Sequence, residues 1–228
     1  MTLAWTTVPA PAPIQALTCA VATDGALAHV GWGHDHGTLD ALARTLGEDL
    51  VVDEARTHDA ASQLSEYLAG RRRVFDLRID WRGIRGSRLT VLQTLFEKVP
   101  YGRVVGYGEL AEMSGAFAES WSAARGVGSI MGSNPVPVVV PCHRVLASAG
   151  GGKLTLGGFG GGLPAKEWLL ALEGVLPPAL DLWTTNGTVA QSSPVAPPCR
   201  SFRTSGAERL DVDVDPERPA HGQHAGQD

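Results

Sequence analysis

The alternation of hydrophobic and polar positions changes rhythm several times along the chain. In "ALTCAVATDGALAHVGWG" (16–33) two β-leaning runs flank Asp24-Gly25, the composition of a tight hairpin turn. "TLDALARTLG" and "AASQLSEYLAG" then carry apolar residues at helical spacing, with Gly47 and Gly70 placed to end them. In "VFDLRIDW" (74–81) Phe75, Leu77, Ile79 and Trp81 alternate with charged residues, which predicts a half-buried strand. A linker, "RGIRG", follows. Beyond it the period is helical. Leu89, Leu92, Phe96 and Val99 share one face of "SRLTVLQTLFEKVP" (87–100), with Ser87 as the expected N-cap and Pro100 as the stop. Two shorter helices are predicted in "GYGELAEMSG" (106–115) and "AESWSAARGVGSIMGSNP" (118–135), a pairing that fits a helix-turn-helix. Val138–Val140 predict a buried strand stopped by Pro141. A glycine-rich segment, "SAGGGKLTLGGFGGGLPAKEW" (148–168), runs into a last helix, "AKEWLLALEG" (165–174).

Composition narrows the class. The chain has 228 residues, 43% of them hydrophobic, enough for one large domain or two small ones with a core. No run approaches a membrane span, and the N-terminus lacks the pattern of a signal peptide, so a cytoplasmic location is expected. From Pro177 onward Pro, Ser, Gly, Asp and His dominate, which predicts a disordered tail. The net charge of −5 conceals a gradient. Residues 1–70 hold two basic and nine acidic side chains, whereas residues 71–175 hold 13 and eight. That basic middle permits DNA binding without requiring it, since "RRR" at 71–73 equally suits a solvated face. Cys19, Cys142 and Cys199 are odd in number and lack metal-ligand spacing, so neither a disulfide framework nor a metal site is expected. His34-Asp35-His36 suits a polar turn better than a ligand set.

The chemistry concentrates in "VVVPCHRV" (138–145). A free thiol titrates near about 8.5, so a nucleophilic cysteine needs a base or a cation beside it. His143 adjoins Cys142, but neighbours on a strand point to opposite faces, so a turn or a bridging water is required. A buried structural cysteine next to a capping histidine is the competing reading of these residues.

"NPVPVVVPCHRV" (134–145), "VPYGRVVGYGEL" (99–110), "AARGVGSIMGSNP" (123–135) and "GFGGGLPAKEWLLALEG" (158–174) together resemble, in order and spacing, the O6-alkylguanine-DNA alkyltransferases, or methylated-DNA–protein-cysteine methyltransferases. The resemblance implies an irreversible, once-only transfer of an alkyl group from guanine O6, and from O4-alkylthymine, to Cys142. It makes His143 the base acting through a water, and Glu167 the carboxylate that orients His143. It makes Tyr107 the donor to N3 of the flipped guanine, and Asn134 the amide tying the helical pair to the reactive turn. Arg125 would fill the vacancy in the base stack, with Ala123, Ala124, Gly126 and Gly128 pressing into the minor groove. Val145, Phe159, Gly160 and Lys166 would line the base pocket. No cofactor, no membrane association, a monomer and duplex DNA carrying alkylated bases as partner are the matching expectations.

The fold expected is α+β: a small α/β N-terminal domain (1–82), a mainly helical, winged helix-turn-helix-like domain for DNA binding and transfer (83–176), and the tail (177–228). The chain departs from the family pattern in several places. Phe159 has no hydroxyl, Ser122 and Gly132 stand where relatives carry basic residues, and Leu89-Thr90 replaces a Phe-Gln pair. Three rivals fit less well. A lesion-flagging relative without transfer would lack the cysteine. A transcription factor would place polar readers on its recognition helix. A cysteine hydrolase would have no use for Arg125.

Overall fold

The computed structural model describes residues 1–33, 36–117, 120–150 and 153–177. The expected tail therefore lies outside the described residues, as do Cys199, His34 and Asp35. The chain begins with a four-stranded sheet made of β1 (Thr2–Pro9), β2 (Ala16–Val21), β3 (Leu27–Trp32) and β4 (Asp49–Val52), in the order β3-β2-β1-β4. β1 and β2, and β2 and β3, run antiparallel, and β4 lies parallel to β1. The predicted hairpin is present, with Gly25 at a φ of 80° in its turn. Helices cover both faces. α1 (His36–Leu46) packs Leu39 and Ala43 against Leu3, Ala20 and Ala28, and α2 (Glu54–Leu68) lies on the opposite side. This double cover explains the near-continuous apolar run of β2, buried throughout except at its first residue.

Local chemistry fixes the helix ends. Asp53 caps α2 by accepting the Arg56 N–H at 3.0 Å. Gly47 and Gly70, both at positive φ, follow α1 and α2 as the sequence predicts. α3 (Gly86–Lys98) begins two residues earlier than Ser87 as N-cap requires, with Arg85 as its cap residue and no side-chain cap. The strand expected over 74–81 does not form. Those residues meet β3 at a single bridge, Leu27 to Ile79, because within β3 only Leu27 exchanges backbone hydrogen bonds with them. Below that bridge the edge of β3 is closed differently, by Val30 N–H donating to Pro135 O at 2.9 Å.

The remaining elements are β5 (Val105–Gly106), α4 (Tyr107–Ser114), α5 (Ser120–Gly132), β6 (Val145–Gly150), β7 (Lys153–Thr155) and α6 (Leu163–Leu172). β5, β6 and β7 form a second small sheet, with β5 parallel and β7 antiparallel to β6. α4 stops at Gly115, a left-handed residue with a φ of 60°. One hydrophobic core runs unbroken from Leu17 and Leu64 beside the first sheet to Leu95, Val127 and Leu169 beneath the second. Among the described residues no helix is long and apolar enough to cross a membrane.

Candidate active site

Val138–Val140 form a buried turn instead of the predicted strand. Val140 N–H donates to Val136 O at 2.8 Å, and Val138 takes a φ of 74°, a left-handed conformation costly for a β-branched residue. Pro141 then starts a single 3-10 turn, Cys142–Arg144, closed by Arg144 N–H donating to Pro141 O at 2.9 Å. On such a turn successive side chains diverge by roughly 120° instead of alternating. Cys142 can therefore face a cavity while His143 turns into the protein, and the stereochemical difficulty posed by adjacent Cys and His disappears.

Asn134 anchors this turn. Its Nδ2 donates to Val140 O at 2.8 Å, and its Oδ1 accepts Val136 N–H at 3.1 Å. Its own N–H donates to Met131 O, in the last turn of α5, at 3.3 Å, so one residue bonds both the end of α5 and the reactive turn.

His143 is fully buried. Its Nε2 lies 2.9 Å from Oε1 of Glu173, and not near Glu167. Glu167 is exposed on the outer face of α6, whereas Glu173 is buried at its C-cap. The two residues differ by six positions, about 1.7 turns, so they point about 120° apart around the helix axis. The expectation for Glu167 is corrected accordingly. "AKEW" directs attention to the helix start, but the carboxylate on the histidine is the last one, in "LEG". A signal was available: Glu173 sits next to the helix-ending Gly174, a position where an acid opposes the helix dipole and needs another reason to be there.

Glu173 has several partners. Arg144 donates from Nη2 to Oε1 at 2.8 Å and from Nε to Oε2 at 2.9 Å, while Gly102 N–H donates to Oε2 at 3.1 Å. Tyr67, from α2, donates its hydroxyl to Oε1 at 2.6 Å. Neither Arg144 nor Tyr67 was singled out from the sequence. Burial would raise the Glu173 carboxyl, but the hydrogen bonds and charges of His143 and Arg144 outweigh it and hold it at about 2. Burial pushes the His143 imidazole down, against the pull of Glu173. Nδ1 of His143 is buried and has no hydrogen-bond partner among the described residues.

Cys142 is buried but lines a cavity of about 1100 Å³. Burial raises its thiol, opposed by the Asn134 hydrogen bond and the charge of Lys166. Tyr107, Arg125, Phe159 and Gly160 line the same cavity. Burial and then the nearby Cys142 push the Tyr107 phenol up, so it keeps its proton at neutral pH. Lys166 is fully buried behind the cavity wall. Its Nζ donates to Val145 O at 2.7 Å and to the Leu156 carbonyl, joining β6 to the glycine-rich segment. Burial brings its amine down to about 8, partly offset by Cys142.

Not every expected residue meets the cavity. Ala124, Arg125 and Gly128 do. Ala123 is buried in the core, and Gly126 faces Phe117, whose ring a Cβ at 126 would meet at 2.5 Å. Burial of Ala123 corrects its assignment to the DNA surface, and Gly126 is small for its close approach to Phe117. Val145 is buried and contributes its carbonyl to Lys166. Trp32, at the end of β3, was also missed. Its indole stands 5.3 Å from Phe159, edge to face, and a Cβ on Gly161 would come within 2.8 Å of it. Among the described residues no group of three His, Cys, Asp or Glu side chains is arranged to hold a metal.

Residues 88–175 match the family described as the DNA-binding domain of 6-O-methylguanine DNA methyltransferase. A methylated-DNA–protein-cysteine methyltransferase of Mycolicibacterium paratuberculosis is 47% identical over 116 residues, covering 50% of this chain and 63% of that protein. Its counterpart in Mycobacterium bovis is 38% identical over 153 residues, covering 63% of this chain and 86% of that protein. The crystal structure of Mycobacterium tuberculosis OGT in complex with DNA is similar with a TM-score of 0.57 and 31% identity, over 75% of this chain and 92% of that one. With Cys142 in a cavity, backed by His143 and a charged carboxylate, the chain belongs to the methylated-DNA–protein-cysteine methyltransferase family, and is a DNA-repair methyltransferase with a DNA-binding domain.

Proposed function

We propose that this chain extrudes O6-alkylguanine, and O4-alkylthymine, from duplex DNA and transfers the alkyl group once and irreversibly to Sγ of Cys142. The observation that carries the reading is the placement of Cys142, Tyr107, Arg125 and Phe159 around one cavity, with His143 and Glu173 behind the cysteine. The thiol proton passes through a water to Nδ1 of His143, and Glu173 stabilises the imidazolium. The thiolate attacks the alkyl carbon, a carbon–sulfur bond forms and the carbon–O6 bond breaks. The electron pair moves into the purine, where Tyr107 donates its proton to N3, so the base leaves neutral. Solvent returns the imidazolium proton to the tyrosine.

α4 and α5 serve as the helix-turn-helix, and the short sheet β5–β7 beside them as the wing. Arg125 is exposed on α5 at the cavity mouth, suited to fill the gap left by an extruded nucleotide. Phe159 stacks on the base without donating to O6. The protein works as a monomer on duplex DNA and needs no cofactor.

Intact-protein and peptide mass spectrometry after mixing with an oligonucleotide carrying one O6-methylguanine tests this. One methyl on the Cys142 peptide, saturating at one per molecule, is the expected result. Tight lesion binding with no mass change would replace the reading with a recognition-only protein.

A further inference from the structure

The relay behind Cys142 is not built from the DNA-binding segment alone. Tyr67 belongs to α2, packed on the first sheet, and is fully buried. Its hydroxyl stands 2.6 Å from Glu173 Oε1 and 3.4 Å from His143 Nε2. A phenol has one proton, and the short contact to a carboxylate that stays charged commits that proton to Oε1. The hydroxyl oxygen then offers only lone pairs to His143. Both atoms facing Nε2, Oε1 of Glu173 and the oxygen of Tyr67, are therefore acceptors, and Nε2 must carry a hydrogen. Neutral imidazole has only one N–H, so its other nitrogen, Nδ1, is left as the base.

We infer that Tyr67 is a positioning residue for alkyl transfer: its hydroxyl pins Oε1 of Glu173 against His143 and holds His143 in the tautomer whose free lone pair is on Nδ1. The inference rests on the transfer reading above and extends it to the N-terminal half of the chain. The ring is itself held in place, tilted against Phe75 at 5.2 Å and edge-on to Tyr101 at 6.1 Å. Arg144 shares Glu173 and cannot substitute, because a guanidinium offers His143 no acceptor. The ionisable groups around the pair are Tyr67 from α2, Tyr101 from the turn after α3, Cys142 and Arg144 from the reactive turn, and Lys166 of α6.

The test uses the full chain with Tyr67→Phe, which keeps the ring and its packing. Three quantities are read: the single-turnover rate of methyl transfer against pH, the dissociation constant for lesion DNA, and the nitrogen chemical shifts of His143. Expected are an unchanged dissociation constant, a rate lower by about tenfold, the worth of one lost hydrogen bond, an acid limb of the rate profile displaced downward, and His143 shifts moving from a single Nε2–H tautomer to a mixture. The downward displacement follows because Oε1, no longer pinned against Nε2, holds the imidazolium less strongly. A folded variant with wild-type rate profile and wild-type His143 shifts would overturn the inference. So would a rate loss matched by weaker DNA binding with the pH profile unmoved, which is what a packing defect alone produces. Should the wild-type chain leave no methyl on Cys142, the transfer reading fails, while the His143 shifts still decide whether Tyr67 sets the tautomer.

Discussion

Glu173 shows how much of this site rests on single atoms. Its Oε1 meets His143, Arg144 and Tyr67 within 2.9 Å, so replacing it strips three neighbours at once. Glu173→Gln keeps the shape but loses the charge that stabilises the imidazolium. Transfer to Cys142, followed by single-turnover kinetics, should slow by roughly a hundredfold or more, the range of a general-base contribution. Glu167→Gln, an exposed change on the same helix, should leave the rate at wild type. Lys166 acts differently. Its buried amine satisfies two carbonyls, and Lys166→Met would leave both without a donor. The expected cost is about 3 kcal/mol in urea denaturation, in line with burying unsatisfied polar groups.

At the scale of elements, the outcome separates regular structure from turns. The helices were legible because their apolar spacing and their ending residues agree, as with Gly70 after α2 and Gly115 after α4. The residues between Asn134 and Val145 were legible in identity but not in shape. Three consecutive valines favour a strand, and only the partners of Asn134 and the tight Val136–Val140 hydrogen bond convert them into a turn. β1 escaped notice because "LAWTTV" has no clean alternation when both faces of its sheet are covered. Glu173 and Tyr67 were hidden for a related reason: their roles depend on α6 and α2 meeting at the same histidine, and they lie 106 positions apart in the chain. The glycine-rich segment offers an element-level prediction. Its Gly161 is pressed against Trp32, so Gly161→Ala should displace the loop and slow transfer while leaving the far-ultraviolet circular dichroism unchanged. Arg125→Ala on α5 should slow transfer from duplex DNA far more than from free O6-alkylated base. Equal slowing of both would show that Arg125 does not act on the stack.

For the whole molecule, pH becomes a readout of the buried relay. The Glu173 carboxyl sits at about 2 instead of its usual 4.5, so the unfolded chain binds the proton first as pH falls. The stability it contributes is complete above about 4.5 and disappears between about 4.5 and about 2, on the order of 3 kcal/mol. His143 adds to the same trend from higher pH, since its imidazole is depressed by burial and the unfolded chain gains that proton more readily. Urea denaturation at a series of pH values should show stability falling on acidification, with the steepest part below 4.5 absent in Glu173→Gln.

Trp32 and Tyr67 both project from the first sheet and its helix into the transfer site, one onto the glycine-rich segment and one onto the relay. This has a consequence for recombination between relatives. The N-terminal half can be exchanged as a scaffold only where it does not reach across. A chimera that joins a foreign N-terminal half to residues 83–177 of this chain should fold whenever the apolar interface is matched. It should transfer alkyl groups at a native rate only if the donor half also presents a phenol opposite Glu173 and a broad ring behind Gly161. Interchangeability is thus limited by two side chains, and a library of such chimeras would sort by those two positions before it sorted by overall identity.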